Sequence, residues 1–237
     1  MPSSLRFVQA AVERRIQEEV DSIASKHPDF EQLLKRLSRS GPIVVFGGFV
    51  RDIIHSYVHR AETQPRDIDI VVDGVFEIGT EDSLNNFGGQ RFRLNESLKA
   101  DFWELRRTYA FRRGLFEPSL SNLLLTTVYT VNACFFDLRE LRLIEHGAVR
   151  DITRKVISFN CTGYLDAFPQ YQAFRAVDLA QRLGYALESN VLAFVTMQMR
   201  RCTFAEFVRA VQQHRPEMGA PQIEMICRPY AGEAGWG

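Results

Sequence analysis

Two aspartates separated by one residue are the first candidates for chemistry in this sequence. Asp67 and Asp69 lie in the segment "DIDIVVDG", where isoleucines alternate with them. Successive side chains of a strand point to opposite faces, so both carboxylates are predicted to share one face of a sheet. Neighbouring carboxylates repel each other unless a cation lies between them, and a pair fixed on a strand suits Mg²⁺. An exposed strand with solvated aspartates is the alternative.

A pair of glycines earlier in the chain favours the metal interpretation. Gly47 and Gly48 follow the apolar run "IVVF" and precede "FVRDIIHSYVHR", which is predicted to be a helix. Backbone without Cβ atoms can approach an anion closely, and the start of a helix favours negative charge. A phosphate site followed by a metal-binding pair would suit a nucleoside triphosphate with its Mg²⁺. A tight strand-to-helix turn is the alternative.

A third carboxylate would complete a site for two metal ions. In such a site one ion activates the attacking hydroxyl and the other bridges the triphosphate. Asp101, in "ADFWELRR", is the best candidate because its strand is expected to lie beside the first pair. Glu104 is the second candidate, although on a regular strand it faces the opposite side from Asp101.

The overall composition indicates a globular protein. The chain has 237 residues, 46% of them hydrophobic, and its 29 basic and 29 acidic residues cancel. This balance argues against nucleic-acid binding by bulk charge, although a local basic face remains compatible with it. The four cysteines form no CxxC pair, which favours reduced thiols over zinc. The charged N-terminus and the lack of a long apolar run predict a soluble, cytoplasmic protein without a membrane partner. Its oligomeric state is left open.

The predicted elements indicate an α+β fold, a mixed sheet with flanking helices. We divide it into an N-terminal helical extension (1–40), a central domain (41–160) and a short helical region with a tail (161–237). The extension is expected to pack on the sheet or on a second subunit. Strands are predicted in "IVVFGG", "DIDIVVDG", "KADFWELRRTYAF", "ACFFDL" and "LRLIEHG", and "FGGQRFRLN" is predicted to turn into a further strand. A helix is predicted from "SLSNLL" into Thr130, and a loosely ordered tail over the last twenty residues.

Several ordered motifs resemble a known family. "GGFVRD…RDIDIVVDG" is similar to the head-domain signature of class II tRNA nucleotidyltransferases and bacterial poly(A) polymerases, within the DNA polymerase β-like nucleotidyltransferase superfamily. "DFWELR", "YTVNACFFDLRELRLIEHGAVRDITRKVISF" and "FRAVDLAQRLGYAL" resemble later segments of that family in the same order. The resemblance runs from Pro42 to Leu187. It implies a polymerase β-like head followed by a short helical neck.

The resemblance implies roles for individual residues. Asp67, Asp69 and Asp101 would be the catalytic metal ligands, holding two Mg²⁺ ions, with Mn²⁺ as a substitute. The residues that would bind the nucleotide are Gly47, Gly48, Arg51, Asp52, Asn132 and Arg106. From the residues alone, a surface position on a helix is the alternative for Arg51. Asn132 is equally compatible with a buried asparagine that bonds to the backbone.

Two departures from the family pattern limit the functional expectation. Residues 126–128 are Thr-Thr-Val where the family has Arg-Arg-Asp, and Phe168, Pro169 and Gln172 replace the Glu-Asp-x-x-Arg set that selects the base. Apolar rings cannot reproduce charged hydrogen-bonding edges. We therefore expect a metal-dependent nucleotidyltransferase other than a standard CCA-adding enzyme. It would move a nucleoside monophosphate from an NTP to an acceptor hydroxyl, with release of pyrophosphate.

The acceptor and the activity itself leave alternatives open. An RNA or tRNA 3′ end is the favoured acceptor, and a protein or a small molecule is the alternative. The rival function is a catalytically inactive protein that senses nucleotides or docks a partner. The arginines and aromatics of "FWELRRTYAFRR" suit an RNA chain, but a half-buried strand with a solvated basic face is favoured. His55 and His59 are expected on a solvated helix face.

Overall fold

A computed structural model describes residues 3–63, 67–76, 89–96, 98–163 and 165–231. The chain forms two compact units. The first, called the sheet unit, comprises Met1–Thr127 and Val131–Val149. The second, called the helical unit, comprises Val128–Thr130 and Arg150–Gly237.

In its described residues the sheet unit contains six strands and five helices. The strands are β1 (Ile43–Phe46), β2 (Asp67–Val72), β3 (Gln90–Arg93), β4 (Lys99–Glu104), β5 (Cys134–Asp137) and β6 (Arg142–Glu145). The helices are α1 (Ser3–Lys26), α2 (Pro28–Leu37), α3 (Gly48–His59), α4 (Tyr109–Arg112) and α5 (Leu120–Leu123). A further helix, α6 (Ala148–Arg154), begins in the sheet unit and ends in the helical unit, and short 3₁₀ turns cover Leu105–Arg107, Leu124–Thr126, Thr130–Asn132 and Leu165–Ala167.

All six strands form one mixed sheet. Its order is β3-β4-β2-β1-β5-β6. Only the β2–β4 pair in this order is parallel, and the other neighbours are antiparallel. The predicted α+β class, with a mixed sheet and flanking helices, is confirmed.

The two faces of this sheet differ. One face carries buried side chains such as Ile68, Ile70 and Phe102, and the ring of Phe30 in α2 lies 6.1 Å from that of Phe102. On the other face a hydrophobic cluster joins the strands to the chain that follows β4: Val44, Phe46, Val71, Leu105, Phe111, Leu123, Leu124 and Phe135. Val71 lies in this cluster, whereas the aspartates at the start of β2 on the same face do not. The cluster therefore leaves a polar end of this face.

Helix α1 covers the outer edge of β6. The Leu143 N–H donates to Glu13 Oε1 at 3.0 Å, and Gln9 Nε2 donates to the Leu143 carbonyl at 3.4 Å. These bonds satisfy backbone groups that a sheet edge otherwise exposes. The N-terminal helix thus packs on the sheet, which is one of the two arrangements expected for it.

Two predicted elements between β4 and β5 are shorter than expected. The strand predicted through "KADFWELRRTYAF" ends at Glu104, and the chain turns so that Leu105, Ala110 and Phe111 become buried. The helix predicted into Thr130 is only α5 and one 3₁₀ turn. There the Thr126 and Thr127 hydroxyls donate to the carbonyls of Leu123 and Leu124, a local bonding pattern that competes with helix continuation.

The helical unit contains α7 (Pro169–Leu183), α8 (Ser189–Arg200), α9 (Phe204–Gln212) and α10 (Ala220–Ala231), with the short parallel strands β7 (Val156–Ile157) and β8 (Ala186–Leu187). The prediction of a loosely ordered tail is wrong for α10. Ile223 and Cys227 are fully buried, and the side chain of Gln181 donates to the Ile226 carbonyl at 2.7 Å. Pro221 stands in the first turn, where a missing N–H is tolerated. None of the helices in the described part of the chain combines the length and apolar character that a membrane crossing needs.

Asp151 is a fully buried carboxylate in the helical unit. It accepts hydrogen bonds from Thr130 Oγ1 at 2.5 Å and from Arg150 Nε at 2.7 Å. Burial acts to raise the pKa of Asp151, but the side-chain hydrogen bonds from Arg150, Thr130 and Ser158 outweigh it and hold that pKa below its ordinary value. The ionised form is therefore the one that the fold stabilises.

We predict that Asp151 contributes stability that acid removes. A carboxyl with a lowered folded pKa stabilises the fold above its unfolded pKa, about 3.9, and this stability is lost as the pH falls through the folded pKa. Urea unfolding of wild type and Asp151→Asn from pH 7 to pH 3 should show a stability difference that shrinks towards low pH. The exposed Asp166→Asn is the control. A wild-type to Asp151→Asn difference that stays constant over this range would contradict the prediction.

Candidate functional site

The register of β2 and β4 brings two of the three predicted aspartates side by side. Asp69 pairs with Asp101 across these parallel strands, and adjacent strands lie about 4.8 Å apart. Asp67, two residues before Asp69, leaves the same face about 6.6 Å along the strand. The predicted position of Asp101 beside the first pair is confirmed by this register, while the roles of the three residues remain predictions. We call these three residues the acidic row.

An arginine from the neighbouring strand binds Asp101. Arg91 on β3 pairs in register with Asp101, and its Nε and Nη2 atoms donate to Oδ1 at 2.8 Å and to Oδ2 at 3.2 Å. The hydrogen bond to Asp101 raises the pKa of Arg91; desolvation opposes this, and the charges of Asp101, Asp67 and Asp69 raise it further. Arg91 thus interacts electrostatically with the whole acidic row.

Further cations share this face of the sheet. Lys99 stands in register with Asp67, and Arg93 in register with Lys99. The alternation of side chains puts both on the face that carries Arg91 and the acidic row. Together with Arg91 they bring three formal positive charges to this face, which offset those of the three aspartates. None of these three cations is among the residues predicted from the sequence, although the alternating arginines of "QRFR" indicate a basic strand face.

The acidic row fits a divalent metal in its donors and backbone placement, but not in its side-chain arrangement. Carboxylate oxygens are the ligands that Mg²⁺ prefers. Among the described residues, however, no three of the histidine, cysteine, aspartate and glutamate side chains are grouped so that they could hold a metal ion. One of the three candidate carboxylates is engaged by Arg91. Binding of a metal by all three aspartates therefore requires that side chains move.

The glycine turn lies next to the acidic row. Because Phe46 pairs with Asp69, the residues after Phe46 lie towards the Asp67 end of β2. Gly47 has φ 69° and ψ −117° and donates its N–H to the Cys134 carbonyl at 2.9 Å. That N–H is therefore used within the sheet unit. The N–H groups of the first turn of α3, beginning at Gly48, have no partner within the helix and point towards the helix start.

Arg51 lies beneath this turn and is buried, so the surface-helix alternative is wrong. Its Nη1 donates to Asn132 Oδ1 at 2.5 Å, and its Nε donates to Asp52 Oδ1 at 2.7 Å. A Cβ atom on Gly48 would lie 3.6 Å from Arg51 Nη2. The structure thus brings together five of the six predicted nucleotide-binding residues around the start of α3: Gly47, Gly48, Arg51, Asp52 and Asn132.

The other predicted residues lie apart from the acidic row. Arg106 is exposed beyond the end of β4, where it lines a shallow cavity of about 320 Å³ with Asp73, Gly74, Leu105 and Pro118. The strand from Asp101 to Glu104 alone spans about 10 Å. Glu104 faces the opposite side from Asp101 and binds Arg107 at 3.3 Å. His55 is buried beside the ring of His59, so the expected solvated position is wrong for His55.

In the helical unit, aromatic rings surround the first turn of α7. His214 lies 4.6 Å from Phe168 and 4.3 Å from Tyr171, between ring centroids. Gln172 is buried, and its Oε1 has no hydrogen-bond partner. These residues occupy and adjoin the positions at which the resembling family has its charged base-selecting set.

The six-stranded sheet with its flanking helices is a fold shared with nucleotidyltransferase enzymes. The chain is similar to the solved structure of a CCA-adding enzyme with ATP, at 20% identity and a TM-score of 0.57, over 90% of this chain and 53% of that chain. It is similar to a CCA-adding enzyme with CTP at 19% identity and a TM-score of 0.59, over 88% of this chain and 53% of that chain. It is also similar to a tRNA nucleotidyltransferase complexed with a primer tRNA and an incoming ATP analog, at 22% identity and a TM-score of 0.54, over 80% of this chain and 57% of that chain.

These matches establish the fold. The chain spans about half the length of the solved structures that it matches. No protein-family model and no curated protein matches the sequence. The fold expected from the resemblance, that of a class II nucleotidyltransferase head and neck, is confirmed.

We predict that the two glycines of the turn respond differently to alanine. Gly47→Ala forces a side chain into a positive-φ conformation and should lower the free energy of unfolding by about 1–3 kcal/mol. Gly48→Ala meets only ordinary contacts and should change it by less than about 1 kcal/mol. Urea unfolding of both variants measures the difference. Equal losses would contradict the assignment of the strain to Gly47.

Proposed function

We propose that the protein transfers a nucleoside monophosphate from an NTP to an acceptor hydroxyl and releases pyrophosphate. The observation that carries this proposal is the pairing of Asp69 with Asp101, next to Asp67 and the glycine turn. It occurs in a fold shared with CCA-adding enzymes. In this proposal Asp67, Asp69 and Asp101 hold Mg²⁺. When bound, Mg²⁺ would neutralise the triphosphate and favour ionisation of the acceptor hydroxyl.

The remaining residues of the site have positioning roles in this proposal. The N–H groups at the start of α3 bind phosphate oxygens, because a helix start offers unpaired donors and a favourable dipole. Arg51 holds Asn132 and Asp52 in place through the short hydrogen bonds described above. Arg106 acts on a distal part of the substrate, since it lies beyond the far end of β4.

RNA is the acceptor that the sheet unit supports best. The chain after β4 exposes four arginines within eight residues, Arg106, Arg107, Arg112 and Arg113, while Ala110 and Phe111 anchor it in the hydrophobic cluster or beside it. A local basic segment of this kind suits a phosphate chain despite the zero net charge. The solved tRNA nucleotidyltransferase with a primer tRNA has the same fold, which agrees with this choice.

A second candidate is a nucleotide-sensing or partner-docking protein without catalysis. The specific observation in its favour is the bidentate bond from Arg91 to Asp101, which satisfies a carboxylate that catalysis would need. A sensor would bind an NTP without transferring any part of it. Thermal-shift titration with each NTP, with and without Mg²⁺, followed by a transfer assay, separates binding from transfer.

The proposed activity predicts transfer of label from an NTP to RNA. The protein is incubated with each of the four α-³²P NTPs, Mg²⁺ or Mn²⁺, and total cellular RNA, and the products are separated on a gel. Asp67→Asn/Asp69→Asn should reduce labelling by about a thousandfold or more, because metal-based charge stabilisation contributes several kcal/mol.

A matched control for this pair of changes is Glu18→Gln/Glu19→Gln. It removes the same number of carboxylates from the solvent-exposed face of α1. It should label RNA as wild type does. Absence of labelling by wild type with every NTP would reject catalysis and favour the sensing protein, and labelled protein would identify a protein hydroxyl as the acceptor.

The basic segment predicts a salt-dependent loss of RNA binding. Arg112→Ala/Arg113→Ala should weaken binding of a fluorescent single-stranded RNA and reduce the slope of log K against log salt by about 1.4, since each lost phosphate contact contributes about 0.7. Fluorescence anisotropy at several salt concentrations measures both quantities. Arg139→Ala/Arg142→Ala, at the turn between β5 and β6, makes the same change of charge and should leave the slope unchanged. Equal slopes for both variants would reject the assigned surface.

A further inference from the structure

The relation between Arg91 and the acidic row carries an inference that rests on the proposed function and concerns how its metal site is controlled. Arg91 and a divalent cation would both use the carboxylate of Asp101. The guanidinium makes one charge-assisted hydrogen bond to each oxygen of that carboxylate. On the side that faces Arg91, the carboxylate therefore has few lone pairs left for a metal ion. The side chain of Asp101 is 10% exposed and that of Arg91 is 41% exposed.

Arg91 offsets the repulsion between neighbouring aspartates when no metal is bound. Asp69 and Asp101 stand directly opposite each other in the sheet, and like charges in such a position are destabilising. Arg91 stands on the other side of Asp101 and offsets that repulsion, and the raised pKa of Arg91 has the charges of all three aspartates among its causes. A divalent cation would offset the same repulsion, so the two cations are alternatives.

We propose that Arg91 is a built-in competitor for the metal, which occupies Asp101 in the metal-free protein and must leave it before a divalent cation can use that carboxylate. Within the described residues β3 is an outer strand of the sheet, and the side chain of Arg91 is 41% exposed, so Arg91 can leave Asp101 by turning towards solvent. The metal affinity of the site is then set by the fraction of molecules in which Arg91 has left Asp101.

The test is a titration of the full chain with Mn²⁺, in which the electron paramagnetic resonance signal of free Mn²⁺ measures binding. Arg91→Gln removes the competitor and should tighten Mn²⁺ binding by about tenfold, which corresponds to occupancy of Asp101 by Arg91 about nine-tenths of the time. Arg91→Lys keeps the charge but loses the two-pronged bond, so it should tighten binding by a smaller factor. It also provides a second variant if Arg91→Gln folds poorly.

A matched control separates competition for Asp101 from a general effect of charge. Arg93→Gln makes the same change of charge on the same face of β3, opposite Lys99 instead of Asp101. It should alter the Mn²⁺ affinity by no more than about twofold. In an Asp101→Asn background, Arg91→Gln should lose its effect, because the carboxylate for which the two cations compete is gone.

The outcomes distinguish this inference from the proposed function. If wild type binds Mn²⁺ and Arg91→Gln binds it equally well or more weakly, Arg91 is no competitor, and the metal site itself stands. If Arg93→Gln matches the gain of Arg91→Gln, the effect is general charge, and the inference is overturned. If no variant binds Mn²⁺, including Arg91→Gln, both the inference and the metal-dependent function fail.

Discussion

The parallel pairing of β2 with β4 is the constraint on which the candidate site depends. It places the carboxylates of Asp69 and Asp101 on adjacent strands, where their mutual repulsion has to be offset by a cation. A register shifted by one residue would send Asp101 to the apolar face of the sheet. The charges of Arg91, Arg93 and Lys99, on the same face as the acidic row, therefore belong to the same arrangement as the aspartates.

The hydrophobic cluster on the same face explains how this charged end can exist in a stable sheet. The chain after β4 folds back over the Val44 and Val71 end of the face and buries Leu105 and Phe111 there. The core thus lies at one end of the face, and the acidic row lies at the other end. One face of β2 therefore carries the apolar Val71 at one end and the carboxylates of Asp67 and Asp69 at the other.

Local patterns were enough to predict the main parts of this protein. The alternation in "DIDIVV" predicts the shared face of Asp67 and Asp69, and the Gly-Gly pair predicts the turn into α3. The position of Arg91 depends on the register of a hairpin, and sequence alternation alone does not fix that register. The burial of Arg51 and the order in α10 likewise depend on tertiary partners, Asn132 in one case and Gln181 in the other.

The bonds between α1 and Leu143 have a consequence for association between copies of the chain. A bare outer strand is a template on which another polypeptide can add its own strand. At β6 the N–H and the carbonyl of Leu143 already have partners in Glu13 and Gln9. A strand from another copy could extend the sheet at this edge only if α1 first detached from Leu143. Helix α1 therefore disfavours the growth of an intermolecular sheet from β6.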